Sequence, residues 1–254
     1  MKKFFYFLAW GLTSTVVLVS CDKDKSDTAI PPVIISASGD ITASVDEFRN
    51  HLGATLNTTP GHVSGRREIN WDAVPDIYEN ERIPSDFFNP IAPGSPAALQ
   101  RGFHYSPSTD ARISSNAFAS LEASNESEFS SFSGSKTFSA VGVNEWNVDF
   151  QVPGQNATAS VKGFGAVFSD VDDASSTTIE FFSGNKSLGI YKVPVRSAGS
   201  LSFLGVYFPN EKITTVRIKQ GSAALADGVK DISAGGISDL VIMDDFFYDE
   251  PQAL

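Results

Sequence analysis

The chain has 254 residues, a formal net charge of −11 and a pI near 4.7. That acidity excludes nucleic acid and anionic lipid headgroups as partners, since both need clustered Lys and Arg. Cys21 is the single cysteine, which excludes an internal disulfide and any multi-cysteine metal site.

Residues 1–20 read as a bacterial lipoprotein export signal. Lys2 and Lys3 form a positive start, an apolar run covers 4–19, and Leu18-Val19-Ser20-Cys21 has the form of a lipobox, whose cysteine is acylated and becomes the new N-terminus. The run is too short, and too abruptly followed by charge, for a transmembrane helix. The expectation is an extracytoplasmic protein anchored through Cys21 to a bacterial membrane, at the outer membrane or cell surface. Residues 21–38 alternate charges and end near Pro31-Pro32, the composition of a flexible tether.

Residues 39–251 are expected to form one domain. A helix is predicted over 40–52: Asp40 can cap it, Ile41, Val45, Phe48 and Leu52 make one apolar stripe, and Gly53 can end it. Residues 54–136 are loop-rich and punctuated by prolines, with short strand candidates at 67–71 and 118–121.

From 137 to 250 the pattern becomes serial short strands. Trp146, Val148, Phe150 and Val152 alternate with polar residues, which marks a half-buried strand. Runs at 161–168, 201–208, 213–219 and 240–248 follow the same logic, and 177–182 with 188–193 make a hairpin around Gly184-Asn185. Gly163 and Gly165 mark places of close backbone approach. The segment 221–236, rich in glycine and small residues, is expected to be a mobile rim loop. The fold class predicted is mainly β: an antiparallel β-sandwich, jelly-roll-like, with one N-terminal amphipathic helix.

Two phrases carry a resemblance. Gly65-Arg66-Arg67-Glu68-Ile69-Asn70-Trp71-Asp72, and the run from Gly163-Phe164-Gly165 to Met243-Asp244-Asp245-Phe246, resemble a family of uncharacterised secreted bacterial proteins, some with cell-envelope sorting signals. The likeness spans roughly 40–251, with Ala73 and Asp249 standing where that family has glycine. It implies a single unit and an envelope location, and no reaction.

The residues able to carry chemistry are chiefly acidic. Asp170, Asp172, Asp244, Asp245 and Glu68 form a candidate calcium set, because calcium takes about 6 to 8 oxygens and sandwiches assemble them from distant segments. The run from Asp170 is not an EF-hand, since Phe181 occupies the twelfth place. A solvated acidic turn is the plainer alternative. Asp244 and Asp245 are adjacent in a predicted strand, so only one of them is expected to face inward.

Trp71, Trp146 and Tyr191 are candidate stacking platforms for a polysaccharide. Glu68 and Asp72, four apart on a strand, would stand about 13 Å from each other, too far for a glycosidase pair. His51, His62 and His104 lie apart and no G-x-S-x-G elbow occurs, so no catalytic residue is assigned. The function expected is a non-catalytic, lipid-anchored envelope protein that binds a glycan or envelope polymer, with structural calcium. The alternatives are an adhesive or structural envelope protein without a small ligand and, third, a glycosidase-like enzyme.

Overall fold

A computed structural model describes Met1 and residues 30–254; the export signal and Cys21 lie outside the described residues. The strands are β1 (Val33–Ser38), β2 (Arg66–Ile69), β3 (Phe103–Tyr105), β4 (Asp110–Ser114), β5 (Thr137–Val141), β6 (Glu145–Phe150) and β7 (Ala159–Ser160). They continue with β8 (Gly163–Val171), β9 (Thr178–Ser183), β10 (Lys186–Lys192), β11 (Arg196–Tyr207), β12 (Thr215–Lys219), β13 (Ile242–Asp249) and β14 (Gln252–Ala253). The helices are α1 (Thr42–Leu52) and the single turn α2 (Asn125–Glu128).

Two antiparallel sheets form the sandwich. The larger runs β1-β11-β8-β13-β5-β4, with β2 also paired to β13, and the smaller runs β10-β9-β12-β6-β3. Alternation drives the packing: on β6, Trp146, Val148 and Phe150 are buried while Glu145 and Asp149 are exposed. The inner faces meet in an aromatic core in which Trp71 stacks on Phe138 at 4.0 Å between ring centroids.

Helix α1 adds a third layer on the outer face of the larger sheet. Ile41, Val45, Phe48 and Leu52 pack there against Val167, Phe203 and Phe247. The strand glycines make this possible. A Cβ on Gly165 or Gly205 would lie 2.7 Å from the Phe48 ring, and one on Gly163 would lie 2.7 Å from Leu52. The helix therefore sits almost on bare backbone.

Four expectations are corrected. Residues 33–38, expected within the tether, form the edge strand β1, because alternating Ile35 and Ala37 face α1. The strand candidate at 118–121 is a turn, with Ala117 and Phe118 in the left-handed region (φ 56° and 60°). The candidate at 67–71 shortens to β2 and passes into a 3-10 turn at Trp71–Ala73. The 221–236 segment is not a loose rim: Leu225 joins Phe118, Phe129, Leu240 and Ile242 in a small apolar cluster, and Asp231 is fully buried.

Candidate functional site

At the start of β13 three separate segments deliver carboxylates to one place. Asp170 and Asp172 come from the end of β8, Glu128 from α2, and Asp231 and Asp239 from the connection between β12 and β13. One oxygen each from Glu128, Asp170 and Asp231 lie within 4.8 Å of one another, and so do those of Asp172, Asp231 and Asp239. Asp231 belongs to both triads and links them. Asp170, Asp231 and Asp239 are buried.

Local bonding explains how the segments hold their places. Asp170 sits at φ 66°, where the pairing of β8 with β11 is interrupted, and aspartate tolerates this left-handed conformation better than most residues. Asp231 opens an Asp-x-Ser turn, taking the Ser233 amide and hydroxyl on Oδ1, each at 2.7 Å, while its Oδ2 accepts the Leu240 amide at 2.6 Å. Asp239 accepts the amides of Asp172 at 3.1 Å and Asp173 at 3.2 Å and the Ser176 hydroxyl, which ties the β8–β9 turn to the 221–241 segment. The Ser233 hydroxyl also bonds Glu128, bringing α2 into the same network.

The electrostatics are one-sided. Among the described residues no lysine or arginine forms an ion pair with Glu128, Asp172, Asp231 or Asp239. Burial first, and then the charges of Asp231 and Asp239, push the Asp172 carboxyl up to about 6. Burial likewise raises Asp239 against the pull of its amide donors. Buried like charges take up protons or a cation. Each triad offers three carboxylates, the kind of oxygen ligand that calcium uses.

Comparison with protein-family models and with curated proteins returns no match. The reading of the site therefore rests on its own chemistry.

The sequence-predicted calcium set divides in two. Asp170 and Asp172 belong to the cluster, whereas Asp244, Asp245 and Glu68 lie elsewhere. A bulge in the pairing of β13 with β8, between Met243 and Phe246, suspends the strand alternation, so both Asp244 and Asp245 are buried. Asp244 Oδ2 accepts the Phe132 and Ser133 amides, and Asp245 Oδ1 accepts the Ser133 hydroxyl at 2.8 Å. Burial first and the neighbouring Asp245 second hold the Asp244 carboxyl well above the usual carboxylate range. Glu68 is tied to Arg49 at 2.9 Å and Arg66 at 2.7 Å. These three carboxylates thus have local partners.

Two of the three aromatic platforms, Trp71 and Trp146, are corrected as well. Trp71 is fully buried, its Nε1 donating to the Asp244 carbonyl at 2.9 Å, and Trp146 is buried with its Nε1 on Gln220. Tyr191 is half-buried and packs edge-on against Phe181 and Phe208. The two tryptophan rings serve the core, and Tyr191 packs against its edge. Asp72 accepts the amides of Ser135 and Lys136, so it holds a turn.

Sequence reasoning missed Glu128, Asp231 and Asp239. Glu128 sits in a polar Ser/Asn/Glu stretch and the other two in a glycine-rich connection, where carboxylates ordinarily face water. The apolar Leu240-Val241-Ile242 directly after Asp239 was the available signal that this connection returns to the core.

Proposed function

We propose that this protein is a lipid-anchored, non-catalytic binding module of the bacterial cell envelope, carried on Cys21, with calcium bracing one end of its sandwich. The observation that carries the calcium part is the pair of carboxylate triads that share Asp231 and, among the described residues, the lack of an ion pair from lysine or arginine to Glu128, Asp172, Asp231 or Asp239. An ion there would add to the hydrogen bonds that already join α2, the β8–β9 turn and the β12–β13 connection. The anchor rests on the lipobox at Leu18-Val19-Ser20-Cys21. Glu68 and Asp72 are both engaged in structural contacts, which gives a glycosidase pair no support.

Thermal denaturation tests the brace. EDTA is expected to lower the melting temperature and calcium, but not magnesium, to restore it, because magnesium requires a tighter octahedral shell. A melting curve indifferent to chelator and to added calcium would overturn the brace. Detergent partitioning of Cys21→Ser tests the anchor, and an unchanged membrane fraction would remove it.

A further inference from the structure

The outer face of the smaller sheet carries a second set of groups that neither the core nor the acidic cluster uses. In register across the strands, Ile190, Glu180, Arg217 and Asn147 form one row. Phe182, Thr215, Asp149 and His104 form the next. Lys192, Thr178, Lys219 and Glu145 form the third. Neighbouring rows lie two residues apart, so all three point to the same side.

Arg217 is the centre of this face. Three shallow depressions of about 240 to 260 Å³ all include it: one beside Phe182 and Thr215, one beside Glu180 and Ile190, and one beside Asn147 and Ser106. Its guanidinium lies 4.9 Å over the Phe182 ring. Its own contacts are long: 3.4 Å to Asn147, 3.4 Å to Glu180 and 3.6 Å to Glu145. Good N–H···O bonds are nearer 2.9 to 3.0 Å. A five-donor fork is thus oriented by a ring while its donors stay under-used.

The face selects by charge. Arg217, Lys219 and Lys192 are balanced by Glu180, Glu145 and Asp149, so it attracts neither polyanions nor polycations. Six charges with only Phe182 and Ile190 as large apolar groups are also unlike the charge-depleted centre of a protein–protein interface. Guanidinium, carboxylates, amide and hydroxyl in a flat lattice match a ligand made of closely spaced neutral hydroxyls, each both donor and acceptor.

We propose that this face, centred on Arg217, binds a neutral polysaccharide lying across the strands. The proposal rests on the reading of the protein as a binding module and assigns its ligand class and site.

Native gel electrophoresis of the folded protein through gels containing xyloglucan, galactomannan, mixed-linkage β-glucan, mannan or polygalacturonate tests it. At least one neutral polysaccharide is expected to retard the protein and polygalacturonate to leave it unretarded. Arg217→Ala and Asn147→Ala are each expected to weaken the retardation about tenfold or more. Both positions are partly exposed, so melting temperatures should stay unchanged and report intact folding. Retardation undiminished in both variants would overturn this site while leaving the binding-module reading standing. Retardation by polygalacturonate alone would overturn the ligand class. Free passage through every gel would overturn the proposal and the binding-module reading together.

Discussion

At its two ends β13 meets buried carboxylates handled in opposite ways. After its last residue, Glu250 is buried against Arg67 in a two-pronged pair, with Nε at 2.6 Å and Nη2 at 2.7 Å, and Asn57 donates to the same carboxylate at 2.8 Å. Arg67 spends its other donors on the carbonyls of Gln100 and Thr59. Before its first residue, Asp239 joins Asp172 and Asp231, with amides and hydroxyls around them. One site is closed by the protein's own cation; the other holds negative charge that amide dipoles offset only in part. Asp244 and Asp245, within the strand, stand between these extremes. Phe132 and Ser133 donate to them, Asp244 Oδ1 is left without a donor, and burial raises both carboxyls above the usual carboxylate range, which favours the protonated form. The chain meets the desolvation of a buried carboxylate with an arginine, with a proton, or with oxygen-rich geometry suited to an external cation.

The largest effect is expected where the protein supplies both charges. Arg67→Ala leaves Glu250 buried without its cation and should cost about 3 to 5 kcal/mol, read as a lowered midpoint in guanidinium unfolding. A loss below about 1 kcal/mol would mean that the arginine contributes little to holding Glu250 in place, and the contrast between the two ends would blur.

The cluster should respond to solution conditions. With calcium at 100 times its dissociation constant the folded state should gain about 2.7 kcal/mol, and Asp231→Asn, which removes the carboxylate shared by both triads, should abolish that gain. The calcium-free variant should itself be less stable than calcium-free wild type, because the asparagine NH2 cannot accept the buried amide of Leu240 or Ser233 that one carboxylate oxygen takes, so the comparison rests on the calcium-dependent gain alone. Matched chelated and calcium-loaded melts of both proteins separate these effects.

The pair in the bulge should show the most gradual effect, one spread over several pH units. A carboxyl whose folded-state value is raised contributes stability that is complete below its unfolded value of about 3.8 and is lost as pH rises through the folded value. Wild type should therefore lose stability relative to Asp244→Asn as pH climbs out of the acid range, by at most about 1.4 kcal/mol per pH unit, and the gap should level off at alkaline pH. Parallel stability curves for the two proteins between mildly acid and alkaline pH would show that Asp244 is already ionised.

Much of the fold is legible in the sequence. Helix α1 and strands β6, β9, β10, β12 and β13 follow from apolar periodicity, and the glycines of β8 mark the close approach of Phe48. Strands β3 and β4 are short and lie among prolines, so they lack the length over which alternation becomes visible. β1 was hidden because its residues resemble a tether until α1 packs over them.

The candidate site divides along the same line. Asp173-Ala174-Ser175 and Asp231-Ile232-Ser233 are the same Asp-x-Ser turn, each aspartate accepting the amide two residues on. Yet Asp173 is exposed and Asp231 fully buried among other acids. Short-range hydrogen bonding is written in the local residues, so the sequence determined the turn, as it did the strand faces and the amphipathic helix. Where a turn comes to rest depends on which segments the core brings together across some 60 to 100 residues. Only the packed sandwich decided that Glu128, Asp170 and Asp231 meet and that Asp244 and Asp245 do not join them, because a carboxylate's partners are set by distances in space that no residue spacing encodes.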